Sequence, residues 1–225
     1  MFKGIKFDLN NKLSLRDPQN TEFGQKLLSN AIVLLDEIGF EAFTFKKLAF
    51  RIKSAEASIY RYFENKHLLL LYLTCWYWEW VNFLIEINTK NIEDPEKRLR
   101  IILHTVVNAS VESHLTAFIN ERILHRVIIN EGVKSYHIHD VDKENKLGFF
   151  LSYKNVVENV AKAICEVNPD FPYCKSLAST LFEMANNQVF FAEHLPRLTD
   201  IGKDDKVGQA LEEMMAYFSF KLLER

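Results

Sequence analysis

Glycine, proline and cysteine are scarce in this chain of 225 residues, which has 7, 5 and 3 of them respectively. Proteins built of strands need glycine and proline at their many turns, so this composition favours helices. The three cysteines, Cys75, Cys165 and Cys174, are odd in number and lack CxxC spacing, which supports neither a disulfide framework nor a zinc site. A reducing compartment fits such cysteines, and we expect a cytoplasmic protein.

Sequence signals for membranes and for catalysis are also missing. No apolar h-region opens the chain, and charges interrupt its apolar stretches before the 18 or so residues that a membrane span needs. The chain has no G-x-S-x-G, no H-E-x-x-H, no phosphate-binding glycine loop and no dinucleotide fingerprint. We therefore expect a protein with no membrane partner, no enzymatic activity and no cofactor.

Five histidines invite a metal-binding interpretation, but their spacing does not support one. They are His104, His114, His125, His137 and His139. Glu121 and His125 share a helical face at i and i+4, yet no further carboxylate or cysteine falls at a diagnostic spacing. No metal site is expected.

Charge is unevenly distributed along the chain, whose overall net charge is −2. Residues 1–70 carry +3 and residues 71–225 carry −5. Within 44–67, six basic residues stand against two acidic ones. Such a local excess suits phosphate groups, although a solvated basic face would look the same.

Apolar residues recur at helical spacing through most of the chain, which predicts an all-α fold. We expect helices over about 22–38, from Thr44 to about 52, over 55–62 and over 66–88, with Gly39 capping the first. Periodicity resumes over 99–107 and 115–127, 131–147 is expected to be a loop, and three helices follow at about 148–167, 172–194 and 204–223. Residues 1–20 are polar and aperiodic and are expected to form a flexible arm.

Two short helices with a tight turn between them, a supporting helix before and a long helix after, indicate a helix-turn-helix. Thr44 to Ala49, then Ala55 to Phe63, then Asn65-Lys66 closely resemble the DNA-binding module of the TetR family. The resemblance covers residues 22 to 69, and its most specific part is the string ASIYRYFENK at 57–66. Beyond residue 69, only the number and order of helices match.

This resemblance implies an architecture and a division of labour among side chains. The three-helix DNA-binding module would span 21–66, and a long helix would join it to a helical ligand-sensing and dimerisation bundle within 67–225. Hydroxyl, guanidinium and ammonium groups would hold phosphates, whereas the start of the second short helix would face base edges. The implied phosphate contacts are Thr44, Lys46, Tyr60, Arg61, Tyr62 and Lys66, and the implied base contacts are Glu56, Ala57 and Ser58.

The turn between the two short helices departs from the family's pattern. Lys53 stands where the family usually has glycine, and it would be strained by about 1 kcal/mol if the turn needs a positive φ. Ala55 lacks the hydroxyl that would cap the second short helix, so Ser54 is expected to cap it.

The remaining chain suggests a sensor and an interface. Aromatic residues crowd the fourth helix, which suits an apolar pocket for an unknown small molecule, although core packing explains them as well. The expected pocket residues are Trp76, Trp80, Phe83, His104 and His125. The helix at 172–194 has two apolar stripes, which predicts a homodimer with 148–167 and 172–194 at its interface. The function expected is a sequence-specific transcription regulator that binds double-stranded operator DNA, most simply a repressor that a small hydrophobic or aromatic ligand releases from its operator. The alternative is a helical interaction protein that keeps the fold without binding an operator.

Overall fold

The computed structural model describes residues 4–111, 113, 115–202 and 206–224, and these residues form helices and connecting segments without any strand. The ten α-helices in this part of the chain are α1 Glu22–Ala42, α2 Phe45–Ile52, α3 Glu56–Tyr60, α4 Lys66–Thr89, α5 Pro95–Asn108, α6 Glu121–Glu131, α7 Val141–Lys146, α8 Leu151–Val167, α9 Cys174–His194 and α10 Val207–Leu223. The all-α prediction is confirmed. His114 lies outside the described residues.

Two predicted boundaries are wrong. The periodicity over 115–127 becomes helical only at Glu121, where the Asn120 side chain accepts from Ile123 N at 2.9 Å and caps α6. The stretch 131–147 is not a plain loop, because it contains a 3₁₀ turn at Gly132–Ser135 and the short helix α7.

The chain divides into two compact units, and the division does not follow the expected boundary after residue 66. The first unit comprises Met1–Glu79 and Ser110–Ser152, and the second comprises Trp80–Ala109 and Tyr153–Arg225. The segment that the sequence assigns to one sensing domain therefore contributes to both units.

In the first unit, α6 is fastened to α1 by polar contacts. The Arg126 guanidinium donates to both carboxylate oxygens of Asp36, at 3.0 and 2.6 Å. One turn further, Glu131 Oε1 accepts from the backbone N–H of Phe40 at 2.9 Å, and Glu131 Oε2 lies 2.7 Å from Lys134 Nζ. Phe40 follows Gly39, whose φ of 72° interrupts α1 and agrees with the predicted cap.

The segment before α1 is packed rather than free. Leu13 is fully buried, and Gln19 is buried with its amide bonded to both backbone groups of Phe7. Asn10 Nδ2 donates to Leu147 O at 2.8 Å. Residues 4–20 thus do not form the flexible arm that their polar composition predicts, because their few apolar and amide side chains find partners distant in sequence.

The second unit is a helical bundle in which α10 packs on α5 and α9. Its core includes Leu99, Leu103, Val156, Leu181 and Leu211, all nearly inaccessible to solvent. The end of α8 and the start of α9 are joined by a disulfide between Cys165 and Cys174, nine positions apart. This bond corrects the expectation that the cysteines are unpaired. The spacing of Cys165 and Cys174 did not indicate a disulfide, but the α8–α9 hairpin brings the two side chains together.

Helix α4 is long and apolar enough to cross a membrane by length and composition, and 72% of its apolar window is buried inside the protein. Burial of this kind is typical of a core helix. The finding corrects the expectation that charges interrupt every such run, because Glu79 and Glu86 are too few to do so.

Candidate nucleic-acid interface

Helix α2 is strongly two-sided. Phe45, Leu48, Ala49 and Ile52 are buried, whereas Lys46 and Lys47 on the opposite face are exposed. The Thr44 hydroxyl accepts from Lys47 N at 3.2 Å and caps the helix, as predicted. That hydroxyl is exposed and keeps its proton available for an external acceptor.

The turn between α2 and α3 has the geometry that the family's glycine would adopt. Lys53 lies in the left-handed region at φ 55° and ψ 54°, and Ser54 N donates to Ala49 O at 2.9 Å. This is the usual way in which a helix end satisfies its last carbonyls. The chain keeps the turn and accepts the strain at Lys53. The N-cap of α3 is Ala55, with no side-chain bond, so the expectation that Ser54 caps α3 is wrong.

Helix α3 is short and buries mainly Ile59. Ala57 is exposed, and Glu56 and Ser58 are half-buried, so the three residues expected to read bases lie at the surface. Tyr60 is 47% exposed, and its ring packs edge-on against Phe45 at 5.0 Å. This packing fixes the Tyr60 ring while leaving part of it accessible.

The six basic residues of 44–67 divide by what their charged groups contact. Arg51 pairs with Glu37, and Lys47 Nζ donates to Ala42 O at 2.7 Å. Lys46, Lys53 and Arg61 are exposed, and within the described chain none of the three has an ion pair or a side-chain hydrogen bond. We call these three residues the open cations. They are the part of the basic excess that is directly available to phosphates.

Lys66, the sixth basic residue, is placed differently from what the resemblance implies. Its ammonium donates to the carbonyl oxygens of Phe40, Glu41 and Phe43, at 2.8, 3.2 and 3.3 Å. An ammonium has three protons, and these contacts use all of them. The structure therefore assigns Lys66 to the end of α1, where it satisfies carbonyls, rather than to a DNA phosphate.

Tyr62 also departs from its expected role. The side chain is only 4% exposed, and its hydroxyl lies 2.7 Å from the hydroxyl of Thr21, which caps α1. A buried phenol that already has a partner cannot reach a phosphate. Tyr62 instead holds the end of α3 against the start of α1.

Two surface features beside the motif escape sequence analysis. The exposed Arg16 guanidinium lies 5.6 Å from the Tyr62 ring centre, where Leu15 N donates to Tyr62 O at 2.8 Å. The segment before α1 thereby adds a cation at the end of α3, which its aperiodic sequence could not indicate. Phe50, on the exposed face of α2, is 87% exposed.

The five expected pocket residues are divided between the two units. In the first unit, Trp76 is fully buried and its indole N–H donates to Gln19 Oε1 at 3.2 Å. His125 Nδ1 lies 2.9 Å from the Tyr77 hydroxyl, and burial lowers the pKa of His125 to about 4. These are the contacts of core residues.

In the second unit, Trp80 is buried, donates to Ala109 O at 3.0 Å and stacks on the half-buried Phe83. The His104 side chain is 59% exposed and its Nδ1 lies 2.8 Å from Glu212 Oε2. Core packing accounts for the contacts of Trp76 and Trp80, and a ligand pocket at these five positions stays a prediction.

Comparisons with known proteins agree on the fold. Residues 27–73 match the family model for bacterial regulatory proteins of the tetR family. A tetR-family regulatory protein from Rhodococcus RHA1 has a TM-score of 0.66 and 12% identity, with 91% of this chain and 98% of that chain covered. The regulator AibR, solved with isovaleryl coenzyme A and operator DNA, has a TM-score of 0.59 and 14% identity, with 86% and 97% covered.

The fatty acid degradation regulator FadR from Bacillus halodurans has a TM-score of 0.59 and 15% identity, with 88% of this chain and 93% of that chain covered. No curated protein matches the sequence. At these identities the structural likeness shows the fold, while the family model identifies the helix-turn-helix itself. The N-terminal module of this chain thus matches the tetR-family model over residues 27–73, and the described chain has the fold of solved tetR-family regulators.

Proposed function

We propose that this protein is a cytoplasmic transcriptional repressor that binds operator DNA as a homodimer and leaves it when a small molecule binds. The observation that carries the proposal is the set of open cations Lys46, Lys53 and Arg61, which are exposed on the helix-turn-helix. The Lys66 ammonium and the Tyr62 hydroxyl, in contrast, are occupied internally. Cations without internal partners are the ones that can replace counterions on DNA.

The base-reading role falls to α3. Glu56, Ala57 and Ser58 are its first residues and are accessible, whereas Ile59 is committed to the core. A Glu carboxylate can accept from a cytosine amino group, and a serine hydroxyl suits several base edges. The proposal therefore keeps these three as specifying contacts and Thr44, Lys46, Tyr60 and Arg61 as positioning contacts.

The dimer interface is proposed on α8 and on the C-terminal half of α9. Most of the two predicted stripes of α9 is already buried within the chain, including Leu181, Phe182 and Ala185. Met184, Val189, Phe190 and Phe191 are only half-buried and follow one another along the rest of the helix. An apolar surface of this kind suits a symmetric contact with a second copy.

Small-molecule binding is supported by likeness alone, since AibR was solved with isovaleryl coenzyme A and operator DNA together. A ligand releases DNA only if it binds the two states with different affinities.

The test is fluorescence anisotropy with DNA from upstream of the protein's own gene and with a shuffled copy of that DNA. We expect the native DNA to bind at least roughly a thousandfold more tightly, and the affinity for both to fall steeply with salt. Equal, weak binding to both DNAs would favour the alternative, a helical interaction protein that keeps the fold without an operator.

A further inference from the structure

A cavity of about 350 Å³ opens in the first unit, and none of its described lining residues belongs to α4. Ser29 of α1 forms one side, and the segment before α6 forms the other. The residues from that side that line the cavity are Ser113, Thr116, Ala117, Phe118, Ile119, Asn120 and Glu121. The volume is that of a small-molecule site.

Glu121 gives this cavity its chemistry. The residue is only 2% exposed, and its Oε1 lies 2.5 Å from the Thr116 hydroxyl. That hydroxyl also lies 2.9 Å from Ile119 O, and its single proton can serve only one of the two acceptors. Among the described residues, Glu121 has no cationic partner.

The rest of the lining favours one class of ligand. Among the described residues around the cavity there is no lysine or arginine, so the site as described is negative. Ser29 donates its own proton to Lys26 O and therefore offers lone pairs to a ligand. Ala117, Phe118 and Ile119 add apolar surface. A buried carboxylate is costly unless a cation or several donors compensate it, and a ligand ammonium would supply both.

We infer that this cavity binds a small molecule that carries a protonated amine on an apolar body, with the amine against Glu121. This inference rests on the proposed function, because it names the site and the class of the releasing ligand.

The position of the cavity explains how its occupant reaches the DNA-binding helices. Glu121 is the first residue of α6. Further along the same helix, Arg126 forms an ion pair with Asp36, and Glu131 accepts a hydrogen bond from Phe40 N. Phe40 lies at the break in α1, just before Thr44 caps α2. An amine that draws the first turn of α6 toward the cavity pulls on these contacts and moves the end of α1.

Binding is tested by calorimetry without DNA, using two matched pairs: tryptamine with tryptophol, and 2-phenylethylamine with 2-phenylethanol. We expect at least one amine to bind roughly tenfold more tightly than its alcohol, because its hydrogen bond to Glu121 is charge-assisted. The variant E121Q should lose this preference, and S29L should block binding by filling the cavity while leaving Glu121 unchanged. E22Q, which changes an exposed carboxylate of α1 outside the cavity, should bind as the parent does.

Coupling is tested by repeating the titrations with DNA. The preferred amine should weaken DNA binding by the parent protein, whereas R126A should bind the amine and keep its DNA affinity when the amine is present. Equal binding of amine and alcohol in both pairs, an amine preference that survives in E121Q, or unaltered binding in S29L would overturn the site. Failure to prefer native DNA without any amine would instead overturn the proposed function.

Discussion

Lys66 and Arg61 are both cations of the string ASIYRYFENK at 57–66, but their charged groups have different surroundings. The Lys66 ammonium satisfies three carbonyls at the end of α1, whereas Arg61 is exposed and is one of the open cations. We therefore expect K66M to lower the free energy of unfolding by about 1–3 kcal/mol, because it leaves carbonyls without donors. R61A should leave that free energy nearly unchanged.

The same two variants should behave in the opposite way on DNA. R61A should reduce the slope of log affinity against log salt by about one unit. K66M, measured where it is fully folded, should retain the parent's slope. Urea unfolding measures stability, and anisotropy titrations at several salt concentrations measure the slope. A lower salt slope in folded K66M than in the parent would show that Lys66 contacts a DNA phosphate.

Lys53 provides a second prediction at the residue scale. Its φ of 55° costs a residue with a Cβ atom about 1 kcal/mol relative to glycine. K53G should therefore raise the free energy of unfolding by about 0.5–1 kcal/mol, whereas K53A should not. Both variants remove the same charge, so both should lower the salt slope of DNA binding equally. Chemical unfolding of the pair separates strain from charge, and equal stability of K53G and K53A would refute the strain.

His125 makes stability depend on pH in a defined direction. Burial lowers its pKa from 6.5 to about 4, so the unfolded imidazole takes up a proton at a higher pH than the folded one. Its contribution is complete above about pH 6.5 and is lost as the pH falls toward 4, a change on the order of 2 kcal/mol. H125Q should flatten that part of the stability profile in urea unfolding between pH 7 and 4. An unchanged profile in H125Q would contradict the assignment.

At the residue scale, the sequence predicted local backbone conformation better than side-chain contacts. The caps Gly39 and Thr44 and the strained turn at Lys53 were predictable, because each depends on local backbone geometry. The roles of Lys66 and Tyr62 were not, because they depend on carbonyls and a hydroxyl that the fold brings from about 20 to 40 positions away. The motif shows which residue types are typical of such a module. It does not show whether a lysine in it contacts DNA or stabilises the fold.

At the scale of elements, the long amphipathic helices were predictable and the connections were not. Helices α1, α5, α8 and α9 follow apolar periodicity, since each buries one face, whereas α4 is buried on all sides from Leu69 to Trp78. The segment from 115 to 120 shows the same periodicity without forming a helix, and its apolar residues Phe118 and Ile119 are buried from a loop. Periodicity reports burial there rather than helical structure, and this loop forms the wall of the cavity.

The hairpin of α8 and α9 carries a prediction about the disulfide. Closing a loop of about ten residues with a disulfide stabilises a protein by about 2–3 kcal/mol, chiefly by restricting the unfolded chain. Reduction should therefore lower the melting temperature of the parent, and C165S should melt at the reduced parent's temperature with or without reductant. Calorimetry under both conditions decides it. An equal response to reductant in C165S would show that Cys165 and Cys174 do not form the bond in solution.

At the scale of the whole molecule, the charge distribution bears on which part of the chain would approach DNA. The basic excess lies in the helix-turn-helix, while residues 71–225 carry −5 and would be repelled by DNA. The helix-turn-helix would then be the part of the chain that approaches the duplex, and a symmetric dimer would present two such modules. The charge asymmetry was visible in the sequence, but the identity of the open cations required the internal hydrogen bonds.

The last prediction concerns that dimer and its operator. Light scattering should give twice the 26.4 kDa of one chain, and F190E should convert the dimer to a monomer, because a charge would be buried against the partner's apolar helix. F50E, at a site 87% exposed and outside α8 and α9, should remain dimeric.

A selection from randomised DNA should recover a palindrome with half-site centres roughly 34–36 Å apart. E56A and S58A should each relax preference at one base pair per half-site, by about 1–3 kcal/mol, and F190E should lose the second half-site altogether. A monomeric parent, or a selected site without two-fold symmetry, would contradict the symmetric arrangement.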